Sequence, residues 1–184
     1  MAEALGNIVI ILLLVLANAF FVAAEFALVK VRSTQLQDRI QKGHRRAPLA
    51  KNITEHLNSY LSATQLGITL SSLGLGWSGE PFLAEMLRHP LALLGISGEG
   101  TLQAFSFALG FGILTVLQIV LGELAPRRIA IKYAERTSLL LSFPLHLFYR
   151  LFKPAIWFLN GCADILLRFL GVPAMETSDR LHSP

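Results

Sequence analysis

Residues 8–28 read IVIILLLVLANAFFVAAEFAL, and this stretch decides the fold. As an α-helix rising 1.5 Å per residue, it reaches about 30 Å, the thickness of a hydrocarbon core. Its polar side chains are Asn18 and Glu25. The seven residues before it carry no Lys or Arg, and the first basic residues follow at Lys30 and Arg32. A secretory signal has the opposite order, with basic residues before an apolar core of about 7–15. Residues 5–29 are therefore expected to span a membrane rather than to be removed as a leader.

Composition outside this run agrees. The chain is 53% hydrophobic and 15% charged, whereas a soluble domain carries about 25% charged residues. The net charge of +4 and a pI near 9.6 are compatible with nucleic acid, but the basic residues flank long apolar runs. A membrane surface is the better partner for that pattern, and no nucleic-acid binding is expected. Cys162 stands alone, which excludes an internal disulfide, and no Cys/His group has zinc spacing.

Two more spans are expected, at residues 57–77 and 101–124. Between them, residues 81–94 are apolar but too short to span, and are expected to be an interfacial or capping segment. Lys and Arg number seven in residues 30–56, one (Arg88) in residues 78–100, and eight after residue 124. The positive-inside rule then places the N-terminus outside and both the first loop and the C-terminal segment in the cytosol. Residues 134–171 are apolar but interrupted by Pro144 and Pro154. Two short amphipathic helices on the cytosolic interface fit that pattern. The expected fold is an all-α membrane protein: a transmembrane domain over residues 1–172, with three spanning helices and cytosolic-side juxtamembrane amphipathic helices. Residues 173–184 are expected to be a linker.

An ionisable group inside a span is costly, so it is a candidate for function. Glu25 near the end of the first span and Glu123 near the end of the third meet that description. Asn18 lies seven residues before Glu25, on the same helix face. In the second span, Gln65, Thr69, Ser72 and Gly76 form one polar stripe, and Gly67, Ser71 and Gly74 a small-residue stripe. Leu66, Leu70, Leu73 and Trp77 face lipid. Such a stripe of oxygens either joins helices or lines an ion path. The third span ends Gly122-Glu-Leu-Ala-Pro126. Pro126 has no N–H for the carbonyl of Gly122, which leaves that oxygen beside the Glu123 carboxylate, and Thr115 and Gln118 share the face upstream. Asn18, Glu25, Gln65, Thr69, Ser72, Gly122 and Glu123 are thus the candidate metal ligands, with Pro126 as a structural kink. All offer oxygen, which suits a hard cation such as Mg²⁺ or Ca²⁺ rather than zinc or copper.

Three segments carry a family likeness: Asn18-Ala-Phe-Phe-Val-Ala-Ala-Glu25 with its continuation to Arg32; Thr64-Gln-Leu-Gly-Ile-Thr-Leu-Ser-Ser-Leu-Gly-Leu-Gly76 with Glu80-Pro81; and Gly122-Glu-Leu-Ala-Pro126. In this order and spacing the chain resembles the transmembrane domain of the CorC/CNNM family of Mg²⁺ transporters, whose bacterial members are called hemolysin-like. The resemblance implies a homodimer in the bacterial inner membrane and a Mg²⁺ site open to the cytosolic side. It also implies cytosolic CBS domains beyond residue 184. Many relatives place a Ser just before the acidic position of the first motif. Here the stretch is Val22-Ala23-Ala24, so a backbone carbonyl near Phe21 or Val22, or water, stands in for it.

The expected function is Mg²⁺ transport, with export favoured. The rival reading is a non-transporting module that anchors and dimerises cytosolic regulatory domains. No nucleophile–base pair and no nucleotide loop is evident, so the chain is not expected to be an enzyme.

Overall fold

The computed structural model describes residues 2–93 and 98–171. Among them every regular element is helical, in the order α1 (Ala2–Lys30), α2 (Ser33–Gln41), α3 (Ala47–Glu55), α4 (Leu57–Leu93) and α5 (Glu99–Leu117). A π-helical segment (Gln118–Leu124) follows, then α6 (Ala125–Lys132) and α7 (Ala134–Phe169). The expected linker, 173–184, lies outside the described residues.

Two helical stretches are long and apolar enough to cross a membrane, Glu3–Lys30 and Glu99–Lys132. α4 is interposed between them and runs antiparallel to both. Gly67 packs on Phe21, Gly74 on Leu14, and Gly79 on both Ile11 and Leu114, so α1 numbers fall as α4 numbers rise. Gly110 of α5 meets the backbone of Leu83 and Ala84. The glycines allow this closeness, because a Cβ on Gly67 would fall 2.5 Å from the Phe21 ring. Ile11, Val15, Leu75, Leu83 and Leu114 form the apolar core of this three-helix layer.

The basic stretch after α1 folds into α2 and α3. Gln35 Oε1 accepts the Arg32 N–H at the start of α2, and Pro48 sits in the first turn of α3, where its missing N–H goes unused. Gly43, with φ of 77°, makes the left-handed turn between them. Leu36, Ala47 and Ala50 pack under Ala134 and Leu139 of α7. Further along, α7 crosses α1 and α4 through Phe21, Leu28, Tyr60 and Leu145. Tyr60 Oη and His146 Nδ1 are 2.6 Å apart, and Ser62 Oγ donates to Asn160 Oδ1 at 2.8 Å.

Three expectations are corrected. Residues 81–93 are not a separate segment: α4 continues through Pro81 and Pro90 to Leu93, and residue 94 of the expected segment lies outside the described residues. Close packing of Gly110 against Leu83 and Ala84 holds the helix just past the first of these prolines. The expected pair of short helices over 134–171 is one helix, Ala134–Phe169, passing through Pro144 and Pro154. Pro144 removes the donor for Leu140 O, and Arg46 Nη1 supplies another from 3.4 Å. Finally, the third apolar helix does not stop at Pro126. It widens into the π-helical segment and resumes as α6.

Candidate metal centre

Asn18 is 3% exposed although it lies in the most apolar helix of the chain. A buried amide needs partners on both its donor and acceptor sides. Its Nδ2 donates to the main-chain oxygen of Gly122 at 3.2 Å, the carbonyl to which Pro126 can give no N–H. Its Oδ1 accepts from Ser72 Oγ at 3.4 Å, and Ser72 Oγ accepts in turn from Gln118 Nε2 at 2.8 Å. One polar chain, Gln118–Ser72–Asn18–Gly122, therefore links all three packed helices. The π-helical segment carries both ends of it. Such segments are frequent at functional sites.

Glu123 follows Gly122 directly and is half-buried. Its Oε1 accepts from Arg127 Nη2 at 2.5 Å. The same guanidinium lies over the Phe26 ring, 4.4 Å from its centre, and its Nε is buried without a hydrogen bond. Glu25 is also half-buried on α1, next in sequence to Phe26, the ring that Arg127 covers.

The structure joins Asn18, Ser72 and Gly122 through hydrogen bonds; Glu123 is next in sequence to Gly122 and pairs with Arg127, which lies over Phe26, the neighbour of Glu25. Gln65 and Thr69 stay outside that chain. Thr69 Oγ1 donates to Gln65 O at 2.9 Å, and both residues are exposed on α4. The small-residue stripe is buried at Gly67 and Ser71; of the side expected to face lipid, Leu70, Leu73 and Trp77 are exposed and Leu66 is half-buried. Two contributors were not among the candidate ligands. Gln118 lies on the Gly122 face by simple helical spacing, a signal that was available. Arg127 reads in sequence as one more basic residue flanking a span.

Among the described residues no three His, Cys, Asp or Glu side chains converge as a metal-binding group. A cation here would depend on amide, hydroxyl and main-chain oxygens beside one or two carboxylates. That donor set suits Mg²⁺ or Ca²⁺ and not a soft metal.

The sequence profile of the cyclin M (CNNM) transmembrane N-terminal domain matches residues 8–183. The chain is 45% identical over 180 residues to UPF0053 protein YhdT of Bacillus subtilis, covering 97% of this chain and 39% of that protein. UPF0053 protein YhdP of the same organism is 41% identical, covering 96% and 40%. UPF0053 protein sll0260 of Synechocystis is 33% identical, covering 91% and 37%. The chain spans about two-fifths of the length of these curated relatives.

Proposed function

This chain belongs to the family of cyclin M transmembrane N-terminal domains, the CorC/CNNM family that its motifs resemble, and from that premise we propose that it carries Mg²⁺ across the membrane, in the direction of export. The observation that carries the reading is the buried Asn18 amide set against the Gly122 carbonyl, next to Glu123. Turned over, that amide would present Oδ1 to Gly122 O. Two oxygens facing each other repel unless a cation lies between them. The same side chain can therefore close the site with Nδ2 or open it to an ion with Oδ1. Ser72, Glu123 and Glu25 add oxygens, and waters complete the near-octahedral shell that Mg²⁺ demands. Thr69 and Gln65 lie on the exposed side of α4, away from the oxygens gathered around Asn18.

Arg127 is the resident counter-charge of Glu123, and an arriving divalent ion would compete with it. In this account ion binding and the Arg127–Glu123 pair are mutually exclusive, and their exchange couples occupancy to helix rearrangement.

The antiparallel packing of α4 between α1 and α5 supports a third span near residues 57–77, because a helix bracketed by two spans lies at membrane depth. The seven-to-one contrast in Lys and Arg between the first and second loops supports a cytosolic face for α2, α3 and α7 in a bacterial inner membrane. A second copy of the chain is the proposed dimer partner, and CBS domains are the proposed cytosolic continuation.

The rival reading, a non-transporting anchor, is favoured by one fact. Asn18, Ser72 and Gln118 satisfy one another within the protein, as packing contacts between helices do. Mg²⁺ flux through purified protein in liposomes separates the two. Flux above empty vesicles that disappears in Asn18→Ala supports transport, and flux equal to empty vesicles supports the anchor.

A further inference from the structure

A cluster of unneutralised basic side chains lies away from the candidate metal centre. The turn at Gly43 folds the α2–α3 connection back against the start of α7 and leaves a cleft of about 680 Å³. Arg39, His44, Arg45, Arg46 and Arg136 line it, with Glu135 as the acid. Arg39 forms an ion pair with Glu135, which fastens α2 to α7. Arg46 Nη1 is held on Leu140 O. Arg45 and Arg136 are exposed and have no hydrogen bond or ion pair among the described residues. A second cleft, of about 460 Å³, shares Glu135 and Arg136 and adds Lys30, Arg32 and Lys132. Lys30 and Lys132 end the two long apolar stretches, so the second cleft, and the first that shares its Arg136, lie at the polar ends of those helices.

Leu140 lines the first cleft and begins an apolar stripe on α7. Leu140, Phe143, Leu147 and Leu151 are spaced by three, four and four residues, and each is at least 60% exposed. A basic recess that opens onto an exposed apolar helix face has the two-part chemistry of a phospholipid, phosphate at one end and acyl chain at the other. Guanidinium groups bind phosphate oxygens with paired, charge-assisted hydrogen bonds.

We propose that the cleft between the α2–α3 turn and α7 binds the phosphate headgroup of an anionic phospholipid, whose acyl chains lie along the Leu140, Phe143, Leu147 and Leu151 stripe. Arg45 and Arg136 are the free donors, Arg46 is a donor already oriented by Leu140, and the Arg39–Glu135 pair sets the width of the cleft. An occupied cleft would brace α2 and α3 against α7.

The test is thermal unfolding of the purified chain in a neutral detergent with added dioleoylphosphatidylglycerol, dioleoylphosphatidylcholine or glycerol phosphate. The phosphatidylglycerol should raise Tm saturably, by roughly 5 °C. The other two should leave it within a degree or so. Arg45→Gln combined with Arg136→Gln should keep the parent Tm without lipid, since neither side chain has a protein partner, and should lose the rise. Arg150→Gln with Lys153→Gln, a basic pair outside the cleft, should retain it. Phe143→Ser with Leu147→Ser should reduce it. An equal rise with phosphatidylcholine, or a full rise in the Arg45/Arg136 variant, would overturn the proposal. An equal rise with glycerol phosphate would overturn the lipid assignment in favour of a free-anion site.

Discussion

Asn18 Nδ2 and the main-chain oxygen of Gly122 meet at 3.2 Å across 104 positions of sequence, in the buried middle of three packed helices. The contact depends on glycine, because a Cβ at residue 122 would lie 2.9 Å from Nδ2. Gly122→Ala should therefore push the amide aside and weaken Mg²⁺ binding at least tenfold, a loss of about 1.4 kcal/mol. Titrating the variant with Mg²⁺ while following intrinsic fluorescence checks this, and unchanged affinity would remove Gly122 from the site.

Arg127 and the ion are expected to compete for Glu123. Arg127→Gln should then tighten Mg²⁺ binding about fivefold, the equivalent of ~1 kcal/mol for a half-exposed pair. Weaker binding in this variant would mean that Arg127 positions the carboxylate instead of opposing the ion.

Packing of α4 on α1 hangs on Gly67. The Phe21 ring that a Cβ would strike is 7% exposed and lies edge-on to Phe20 and Phe148, so it has little room to yield. Gly67→Ala should destabilise the fold by about 1–3 kcal/mol, read as a lower Tm in detergent. A Tm equal to that of the parent would show that α1 and α4 are less closely packed.

α7 is tied to α4 through Tyr60 and His146. Tyr60→Phe removes that hydrogen bond and keeps the ring contact with Tyr149. A loss of about 1 kcal/mol is expected, with Mg²⁺ affinity unchanged, because the pair is not part of the Asn18 chain. Chemical unfolding monitored beside Mg²⁺ titration tests both halves.

Several of these relationships were legible in the residues, and some were not, for physical reasons. Residues 8–28 announce a span by length and apolarity alone. Asn18 and Glu123 announce themselves because polar groups are costly in such a helix, and Pro126 announces a freed carbonyl at Gly122. That Asn18 is the group which finds that carbonyl is a tertiary fact, and no local pattern carries it. Pro144 and Pro154 look like breaks in α7 because helix rules are local. Pro144 is tolerated in part because Arg46, 94 residues away from Leu140, donates to the oxygen that it frees. The polar stripe of α4 was visible, but its phase was not. Ser72 turns toward Asn18 whereas Gln65 and Thr69 turn outward, and a helix rich in Gly, Ser and Thr offers more than one plausible face. Arg127 was hidden among basic residues whose position after a span already had a sufficient explanation.

Asn18, Gly122 and Glu123 are proposed to form a cation site within the membrane domain. Calorimetric titration of the purified, detergent-solubilised chain with Mg²⁺, beside Glu123→Ala, tests it most directly. Saturable binding to the parent is expected, and none to a variant that remains folded. Equal binding by the two proteins, or no binding by a folded parent, would contradict it and leave the polar chain as a joint between helices.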